Sequence, residues 1–339
     1  MSESPFLVVT DLRTSFETPR GLVHAVDGVS LSLDRGQSLG IVGESGSGKT
    51  ILVRSIMGLL PARGTYRSGI VEFNGSIVSQ LKQSEMRSLW GRQMAMVSQD
   101  PLTALNPVNK IGHQITEHMI YHLRVDKQSA RDIAERLLTD VGISEPSKRL
   151  GEYPHQLSGG MRQRVMIAIA LACGPSLLLA DEPTTALDVT MQAQILDLLG
   201  VQCRGRNMAM ILVTHDLGVV AGHTDEVAVM YGGKLVERAP TKELFANVKM
   251  PYTKALIDSI PKLNAPSHTR LKVIGGRPPD LIHPPQGCRF APRCAFAQKK
   301  CHIEEPSLQR TEHADHWFAC WYPLEIKSSP PSDTISGVG

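Results

Sequence analysis

Short apolar runs that end at polar residues recur along the chain. Three of these runs, Ser38–Val42, Ser176–Ala180 and Met208–Val213, have the length and continuity of strands that are buried on both faces of a parallel sheet. After the first run, residues from Ile51 to Leu60 have the apolar face of a helix, which Pro61 ends. The alternation of strands and helices predicts an α/β fold.

The pattern changes between residues 101 and 157, where it becomes helical. In the stretch 130–138 the apolar residues fall on one face of a helix and the charged residues on the other. Strand patterns then return, and residues 227–237 form two apolar runs around Gly232-Gly233, which is a typical two-residue hairpin loop. We therefore expect helices to be inserted into an α/β domain.

Composition shifts near residue 251. Residues 251–339 contain 12 of the 22 prolines and 4 of the 6 cysteines, which predicts a loop-rich appendage and not a continuation of the sheet. Residues 328–339 are rich in serine, proline and glycine and are expected to be disordered. The predicted division is a domain at 5–250, an appendage at 251–327 and a tail.

Net charge and hydropathy limit the possible binding partners and cellular location of the chain. Lys and Arg number 36 against 33 Asp and Glu, so the net charge of +3 gives no indication of nucleic-acid binding. The apolar stretch Val165–Ala180 is interrupted by Gly174-Pro175, which excludes it as a membrane span. The opening residues lack the basic patch and apolar core of a signal peptide. We expect a cytoplasmic chain that reaches a membrane only through partners.

A phosphate-binding loop follows the first predicted strand. The run Gly43-Glu44-Ser45-Gly46-Ser47-Gly48-Lys49-Thr50 fits the pattern G-x-x-x-x-G-K-[ST]. Its glycines let backbone N–H groups turn toward phosphates at the N-terminus of the following helix, whose dipole favours anions. Lys49 is expected to reach the β- and γ-phosphates of ATP, and the Thr50 hydroxyl to ligate Mg²⁺.

Acidic and histidine side chains follow the other two predicted strands. Asp181 and Glu182 come directly after Ser176–Ala180, and His215 follows Met208–Val213. Since ligands of α/β sheets bind at the carboxyl ends of the strands, Asp181 is expected to hold Mg²⁺ and Glu182 to act as the general base on water. An acidic pair is common on surfaces, and the phosphate loop upstream together with Thr214-His215-Asp216 downstream makes this one a candidate catalytic site.

The segment Leu157-Ser158-Gly159-Gly160-Met161 adds a second anion site. Ser158 can cap a helix that runs to Ala172, so that the first turn presents free N–H groups. A structural cap alone does not explain Gly159-Gly160, because a glycine costs about 1 kcal/mol relative to alanine in a helix. Together with the phosphate loop and the acidic pair, this segment resembles the signature of ATP-binding cassette (ABC) ATPases.

The resemblance to ABC ATPases implies further roles. Their fold has a RecA-like core with a β subdomain and an inserted helical subdomain, here at about 101–157. Gln99 matches the Q-loop glutamine, which touches Mg²⁺ and water, and His215 matches the switch histidine at the γ-phosphate. The segment Ala186-Leu187-Asp188 matches the D-loop at the dimer interface. Phe16 matches the aromatic that stacks on adenine, although a phenylalanine there could equally belong to the core. In this family two subunits close head to tail, and Ser158, Gly159 and Gly160 act on ATP held by the other subunit.

The appendage indicates the subfamily. Residues 251–256, 275–279 and 287–294, and the signature context 155–168, closely resemble ATP-binding subunits of dipeptide/oligopeptide (peptide/nickel family) importers. The resemblance implies a second ABC ATPase subunit as partner, favouring a heterodimer over a homodimer, together with two transmembrane permease subunits and an extracytoplasmic substrate-binding protein. It places the chain peripherally at the cytoplasmic face of the inner membrane, where it hydrolyses ATP to drive peptide uptake.

Four cysteines of the appendage form a candidate metal site: Cys288, Cys294, Cys301 and Cys320. Disulfides are not expected in a reducing cytosol, and the paired C-x₂₋₄-C knuckles of structural zinc sites are absent. Four thiolates on loops suit an iron–sulfur cluster, and related importers are reported to hold [4Fe–4S] there. Zn²⁺, with His302, His313 and His316 as alternative ligands, and unligated thiols remain open. Cys173 and Cys203 are expected to be small buried hydrophobes.

Two other functions are compatible with parts of this pattern. A soluble ABC protein of DNA repair would have a long coiled coil between Thr50 and Asp181, and no sustained heptad is present; one of translation would have two cassettes, and only one phosphate loop is present. A transporter of the same class could instead import nickel, glutathione or another small solute. The cargo is chosen by other subunits, so this sequence does not specify it.

Overall fold

The computed structural model describes residues 5–185, 187–260, 274–312 and 315–325. The strands are β1 (Leu7–Thr18), β2 (Gly21–Leu33), β3 (Ser38–Val42), β4 (Thr65–Phe73), β5 (Ser76–Ile77), β6 (Met94–Val97), β7 (Leu177–Asp181), β8 (Ala209–Thr214), β9 (Glu226–Tyr231), β10 (Lys234–Pro240), β11 (Gln309–Arg310) and β12 (Trp317–Phe318). The helices are α1 (Lys49–Met57), α2 (Gln83–Leu89), α3 (Pro101–Ala104), α4 (Ile111–Leu123), α5 (Lys127–Asp140), α6 (Pro146–Arg149), α7 (Gly159–Leu171), α8 (Val189–Gly205), α9 (Leu217–His223), α10 (Thr241–Ala246), α11 (Pro251–Ser259) and α12 (Lys299–Ile303).

The larger sheet has the order β11-β12-β10-β9-β3-β8-β7-β6. Strands β6, β7, β8, β3 and β9 pair in parallel, which confirms the predicted α/β fold. Because parallel strands end at the same edge, the segments after β3, β6, β7 and β8 are brought together there. These segments contain the phosphate loop, Gln99, the acidic pair and His215.

The smaller sheet is antiparallel, with the order β2-β1-β4-β5. Its apolar face packs on α1, since Leu12 and Val29 of the sheet share one buried cluster with Leu52 and Ile56 of the helix. The same cluster includes Ile41 of β3. Helix α1 is thus held between the two sheets, and its N-terminus is fixed directly after the phosphate loop.

Helices α3, α4, α5 and α6 occupy the segment that was predicted to be helical. Asp126 caps α5 by accepting hydrogen bonds from the N–H groups of Gln128 and Ser129, both at 3.0 Å. Helices α4 and α5 contact each other, and both contact α7. Because α7 begins at the signature segment, these helices share one packed unit with it.

The C-terminal region departs from its prediction. Much of it is loop, but β12 pairs with β10, where Glu237 lies opposite Phe318, and β11 pairs with β12. The expectation that this region does not continue the sheet was therefore wrong: two short strands extend the sheet beyond the β9–β10 hairpin. Two-residue strands have too little sequence for a period-2 pattern to reveal them. The tail at 328–339 lies outside the described residues.

Candidate functional site

The phosphate loop is closed by its own lysine. Lys49 Nζ donates to the carbonyl oxygens of Gly43 at 2.7 Å and Glu44 at 3.1 Å. The lysine is only 4% exposed. Burial lowers the pKa of Lys49, while the charge of Glu182 opposes that effect. A buried ammonium with backbone carbonyls as its hydrogen-bond partners is available to a negatively charged phosphate.

Two glycines of the loop cannot be replaced without a clash. A Cβ on Gly43 would lie 2.2 Å from the Met230 carbonyl oxygen, and a Cβ on Gly48 would lie 2.2 Å from that of Ala25. Gly48 also has a φ of +101°, which side-chain-bearing residues rarely adopt. Ser45 and Gly46 lie on the exposed side. The buried Ser47 hydroxyl finds no hydrogen-bond partner among the described residues, so it is available to a ligand.

Thr50 and Asp181 meet at the carboxyl edge of the sheet. The Thr50 hydroxyl donates to Asp181 Oδ1 at 2.9 Å, although 131 positions separate them. Asp181 is 2% exposed. Burial raises the pKa of Asp181, and the Thr50 hydrogen bond opposes the shift. One hydroxyl and one carboxylate oxygen at this position have the chemistry of Mg²⁺ ligands.

One oxygen of Glu182 is the meeting point of three side chains. Gln99 Nε2 donates to Glu182 Oε2 at 3.3 Å, and Thr185 Oγ1 donates to the same oxygen at 3.0 Å. His215 Nδ1 lies 3.4 Å from this oxygen. Glu182 has a positive φ of 47°, and its N–H donates to the Val213 carbonyl at 2.9 Å. Such a conformation is unfavourable for a glutamate and is typically retained at functional sites. The Glu182 side chain is 14% exposed and that of His215 58%.

The signature segment begins α7 as predicted. The Ser158 hydroxyl accepts a hydrogen bond from the Met161 N–H at 3.3 Å. A Cβ on Gly159 would meet no atom within 4 Å, whereas one on Gly160 would lie 2.3 Å from Met191 Cε. The Met191 N–H in turn donates to Asp188 Oδ1 at 2.9 Å, so Met191 links the signature segment to the predicted D-loop. Ala186 of that loop lies outside the described residues.

Phe16 lies on β1 with Val23 of β2 and Thr65 of β4 as its cross-strand partners. Its side chain is half-buried. Both core packing and stacking on a base are compatible with this position, and its predicted contact with adenine stays a prediction.

The four cysteines of the C-terminal region, Cys288, Cys294, Cys301 and Cys320, line one small cavity. Within it, the Cys288 N–H donates to the Cys301 carbonyl at 2.7 Å. Burial raises the pKa of Cys288 and Cys294, and it raises that of Cys320 to about 11. Throughout the described residues, however, no three His, Cys, Asp or Glu side chains are grouped so that they could hold a metal ion. The predicted cluster and its zinc alternative are therefore not confirmed.

The three histidines considered as zinc ligands have different environments. His316 is fully buried, and its Nε2 lies 2.8 Å from Glu237 Oε1. His302 is exposed on α12. His313 lies outside the described residues. A buried partner already engages His316, which disfavours it as a ligand.

Three residues that contact the site were not identified from the sequence. Thr185 hydrogen-bonds Glu182, while Arg293 and Tyr252 contact Glu44 of the phosphate loop. The phosphate-loop pattern leaves the Glu44 position open to any residue. Thr185 follows Glu182 by three positions, and its place just after a strand end is the sequence signal that indicates a site residue.

Comparison with known proteins defines the family. A family model described as "ABC transporter" matches residues 26–185, and one described as "Oligopeptide/dipeptide transporter, C-terminal region" matches residues 236–301. The oligopeptide transport ATP-binding protein OppD of Bacillus subtilis is 45% identical over 96% of this chain and 91% of its own length. The dipeptide transport ATP-binding protein DppD of Escherichia coli is 44% identical over 96% of this chain and 98% of its own length.

Solved structures give the same answer for the fold. The dimeric ATP-binding cassette MJ0796, bound to ADP and Pi, matches with a TM-score of 0.63 and 25% identity over 69% of this chain and 98% of its own. The fold and the phosphate site are thus those of an ATP-binding cassette. The chain belongs to the family of ATP-binding proteins of oligopeptide and dipeptide ABC transporters. No helix in the described part of the chain is long and apolar enough to cross a membrane.

Proposed function

We propose that the chain is the ATP-binding and ATP-hydrolysing subunit of a bacterial ABC importer and that it energises uptake of dipeptides or oligopeptides through partner permease subunits. The observation that supports ATP hydrolysis most directly is the convergence of Gln99, Thr185 and His215 on one oxygen of Glu182. The relatives named for oligopeptide and dipeptide transport support the cargo class.

Phosphate binding rests on groups that are already oriented. The ammonium of Lys49, the unpaired hydroxyl of Ser47 and the N–H groups at the start of α1 lie within one loop and would bind the phosphates of ATP. Thr50 and Asp181 would hold Mg²⁺, with Gln99 completing the set from the neighbouring strand. When bound, the ion neutralises charge that develops on the phosphates.

Hydrolysis is assigned to Glu182 as general base. Its oxygen lies at the strand edge and accepts hydrogen bonds from Gln99 and Thr185, so the carboxylate is oriented before water binds. His215 is more than half exposed and lies beside it, which leaves the ring free to contact the γ-phosphate. Gln99, Glu182 and His215 follow three different strands, β6, β7 and β8, which end at the same edge of the sheet.

We assign the signature segment to the nucleotide of a second ATPase subunit. Gly159 faces open space, and the N–H groups of the first turn of α7 have no intrahelical acceptor. The likeness to a dimeric cassette supports this arrangement. Asp188 would lie at the same interface because Met191 connects it to Gly160. A paralogous subunit is favoured as the partner.

The remaining partners are two permease subunits and an extracytoplasmic binding protein, and the chain would lie at the cytoplasmic face of the membrane. Reconstitution with the permease subunits and binding protein of the same transporter tests the cargo. ATP hydrolysis stimulated by peptides supports the proposal. Stimulation by nickel or glutathione alone would replace peptide as the cargo and leave the ATPase assignment intact.

Nucleotide binding is tested with a fluorescent ATP analogue and Mg²⁺. Lys49→Ala is expected to weaken binding strongly, because the buried ammonium is lost. Lys242→Ala is the matched control, since Lys242 is exposed on α10. Binding that is equal in both variants would contradict the assignment.

The action of the signature segment in trans has its own test. Gly160→Asp places a carboxylate toward the γ-phosphate of the opposing subunit and displaces only the flexible end of Met191. It should abolish dimer-dependent hydrolysis and leave nucleotide affinity of the monomer unchanged. Gly222→Asp, at an exposed helical glycine with no atom within 4 Å of its added Cβ, is the control. Loss of monomer affinity in Gly160→Asp would show that the segment acts in cis.

For the four cysteines we propose a [4Fe–4S] cluster, with Zn²⁺ as the alternative. The supporting observation is that four thiols and no carboxylate line one cavity. Protein purified without oxygen should absorb at about 400 nm and contain about four irons per chain. Cys294→Ser should remove both the absorbance and the iron. A colourless preparation with one zinc would replace the cluster by zinc, and one without metal would leave free thiols.

A further inference from the structure

The C-terminal region contacts the phosphate loop through an ion pair. The Arg293 guanidinium donates to both carboxylate oxygens of Glu44, from Nη1 to Oε2 at 2.6 Å and from Nη2 to Oε1 at 2.8 Å. Arg293 has only 4% of its side chain exposed and Glu44 26%. Paired, charge-assisted hydrogen bonds of this kind fix orientation as well as distance, and burial protects them from screening by salt.

The backbone of Glu44 is held on both sides. Its N–H donates to the Tyr252 hydroxyl at 2.8 Å. Its carbonyl oxygen accepts hydrogen bonds from Lys49 Nζ and from the Ser47 N–H, both at 3.1 Å. The conformation of the first peptide groups of the phosphate loop therefore depends on Glu44. The side chains that contact Glu44 from outside the loop belong to the C-terminal region.

Both of these outer contacts are rigid. Tyr252 is fully buried, and its ring centroid lies 4.5 Å from that of Tyr231 and 5.2 Å from that of Phe290. A hydroxyl on so tightly packed a ring has little freedom to follow a moving loop. It acts as a fixed acceptor for the Glu44 N–H.

Arg293 is fixed by its own neighbours. Its Nε donates to the Gly275 carbonyl at 2.8 Å and its Nη2 to that of Ile274 at 3.1 Å. Its Nη1 lies 3.2 Å from the Tyr231 hydroxyl. Arg293 directly precedes Cys294, so the backbone that places the guanidinium also places one of the four thiols.

We propose that Arg293 and Tyr252 are positioning residues for the phosphate loop, through which the four-cysteine region sets the affinity of the chain for ATP. The inference rests on the proposed ATP binding and deepens it. Neither residue lies in the segments that supply the phosphate and Mg²⁺ contacts, so each acts through Glu44. Loss of either contact leaves the loop intact in sequence but less fixed in conformation.

The first test compares Arg293→Gln with Arg277→Gln, an exposed arginine of the same region. Affinity for a fluorescent ATP analogue with Mg²⁺ should fall about tenfold in Arg293→Gln and remain unchanged in the control. In the assembled ATPase, KM should rise by a similar factor while kcat stays near that of the unaltered chain, because the catalytic groups at Glu182 are untouched. Arg293→Lys should recover part of the loss, since a lysine keeps the charge but not the paired geometry.

A double-mutant cycle shows whether Arg293 acts through Glu44. Once Glu44→Gln is present, Arg293→Gln should weaken binding little further. Independent effects of the two substitutions would overturn the proposed route through Glu44, and equal affinity of Arg293→Gln and the unaltered chain would overturn the inference.

Should Arg293→Gln fail to fold, Tyr252→Phe tests the positioning role instead, because it keeps the ring and removes only the hydroxyl. Affinity equal to that of the unaltered chain would reject the positioning role. Failure of the unaltered chain itself to bind nucleotide would instead reject the proposed function.

Discussion

The ATP site and the four-cysteine region are assembled in different ways. At the ATP site, the functional side chains lie at or shortly after the carboxyl ends of strands of one parallel sheet, so the hydrogen-bond register of the sheet constrains the distances between them. In the C-terminal region the four cysteines lie in loops and short helical turns, which are joined by few backbone hydrogen bonds such as that from Cys288 to Cys301. A site at strand ends is defined by its fold, whereas a site on loops needs a further constraint.

The two regions also differ in the surroundings of their buried polar groups. In the phosphate loop Ser47 keeps a buried hydroxyl with no partner among the described residues, as a ligand site does. In the C-terminal region the buried Arg289 is paired with Asp27 and with Glu305, the latter at 3.1 Å. Thr253 Oγ1 and His316 Nδ1 of the C-terminal region are likewise buried without a hydrogen-bond partner in the part of the chain that the structure describes. Unpaired buried polar atoms therefore occur in both regions, and Ser47 is distinguished by its place within a phosphate-binding pattern.

The largest effect is expected from removing the general base at the strand edge. Glu182→Gln keeps the shape and a hydrogen-bonding side chain but cannot accept a proton, so hydrolysis should fall by about 10² to 10⁴ while ATP binding is retained. Phosphate release and binding of a fluorescent nucleotide measure the two properties. Glu117→Gln, on the exposed face of α4, is the control. Near-normal turnover of Glu182→Gln would remove this residue from the role.

The next largest effect, a loss of ATP affinity, is expected from a substitution that displaces the phosphate loop. Gly48→Ala places a Cβ against the Ala25 carbonyl, and a displacement of about 1 Å can cost about a hundredfold in activity. Gly75→Ala is a matched control, because Gly75 has a similar positive φ of +75° but no atom within 4 Å of the added Cβ. ATP affinity should fall in the first variant only. Equal losses in both would indicate backbone strain and not the clash.

The same contrast explains what could be predicted from the sequence. Asp181, Glu182 and His215 were predictable because each terminates an apolar run, and the ends of parallel strands meet at one edge. The pair of Arg293 with Glu44 was not predictable, because 249 positions separate the two residues and a single ion pair leaves no periodic pattern. Residue spacing likewise shows that four thiols exist but not whether they converge with the geometry of metal ligands.

The attachment of the C-terminal region predicts a loss of stability without a loss of chemistry. His316 and Glu237 are both fully buried, with His316 Nε2 at 2.8 Å from Glu237 Oε1. His316→Leu leaves the buried Glu237 carboxylate with only the N–H groups of Lys249 and Met250, and should lower the free energy of unfolding by about 3 kcal/mol. Urea unfolding measures the loss. His316→Gln should recover part of it, and His283→Leu, at an exposed histidine, should change little. An unchanged midpoint in His316→Leu would show that the pair contributes nothing.

The smallest effect is expected from a cysteine outside the four-cysteine region. Cys203 is buried in the α/β domain, with its Sγ 3.7 Å from Met210 Sδ. Burial raises the pKa of Cys203 to about 12, so the thiol stays protonated at neutral pH and behaves as a small buried hydrophobe. Cys203→Ala should therefore cost only about 1 kcal/mol of stability in urea unfolding and leave ATP affinity and metal content unchanged. Cys320→Ser, in contrast, should lower metal content if the four thiols bind metal. A fall in metal content in Cys203→Ala would place this thiol among the ligands and would remove the distinction between the two regions.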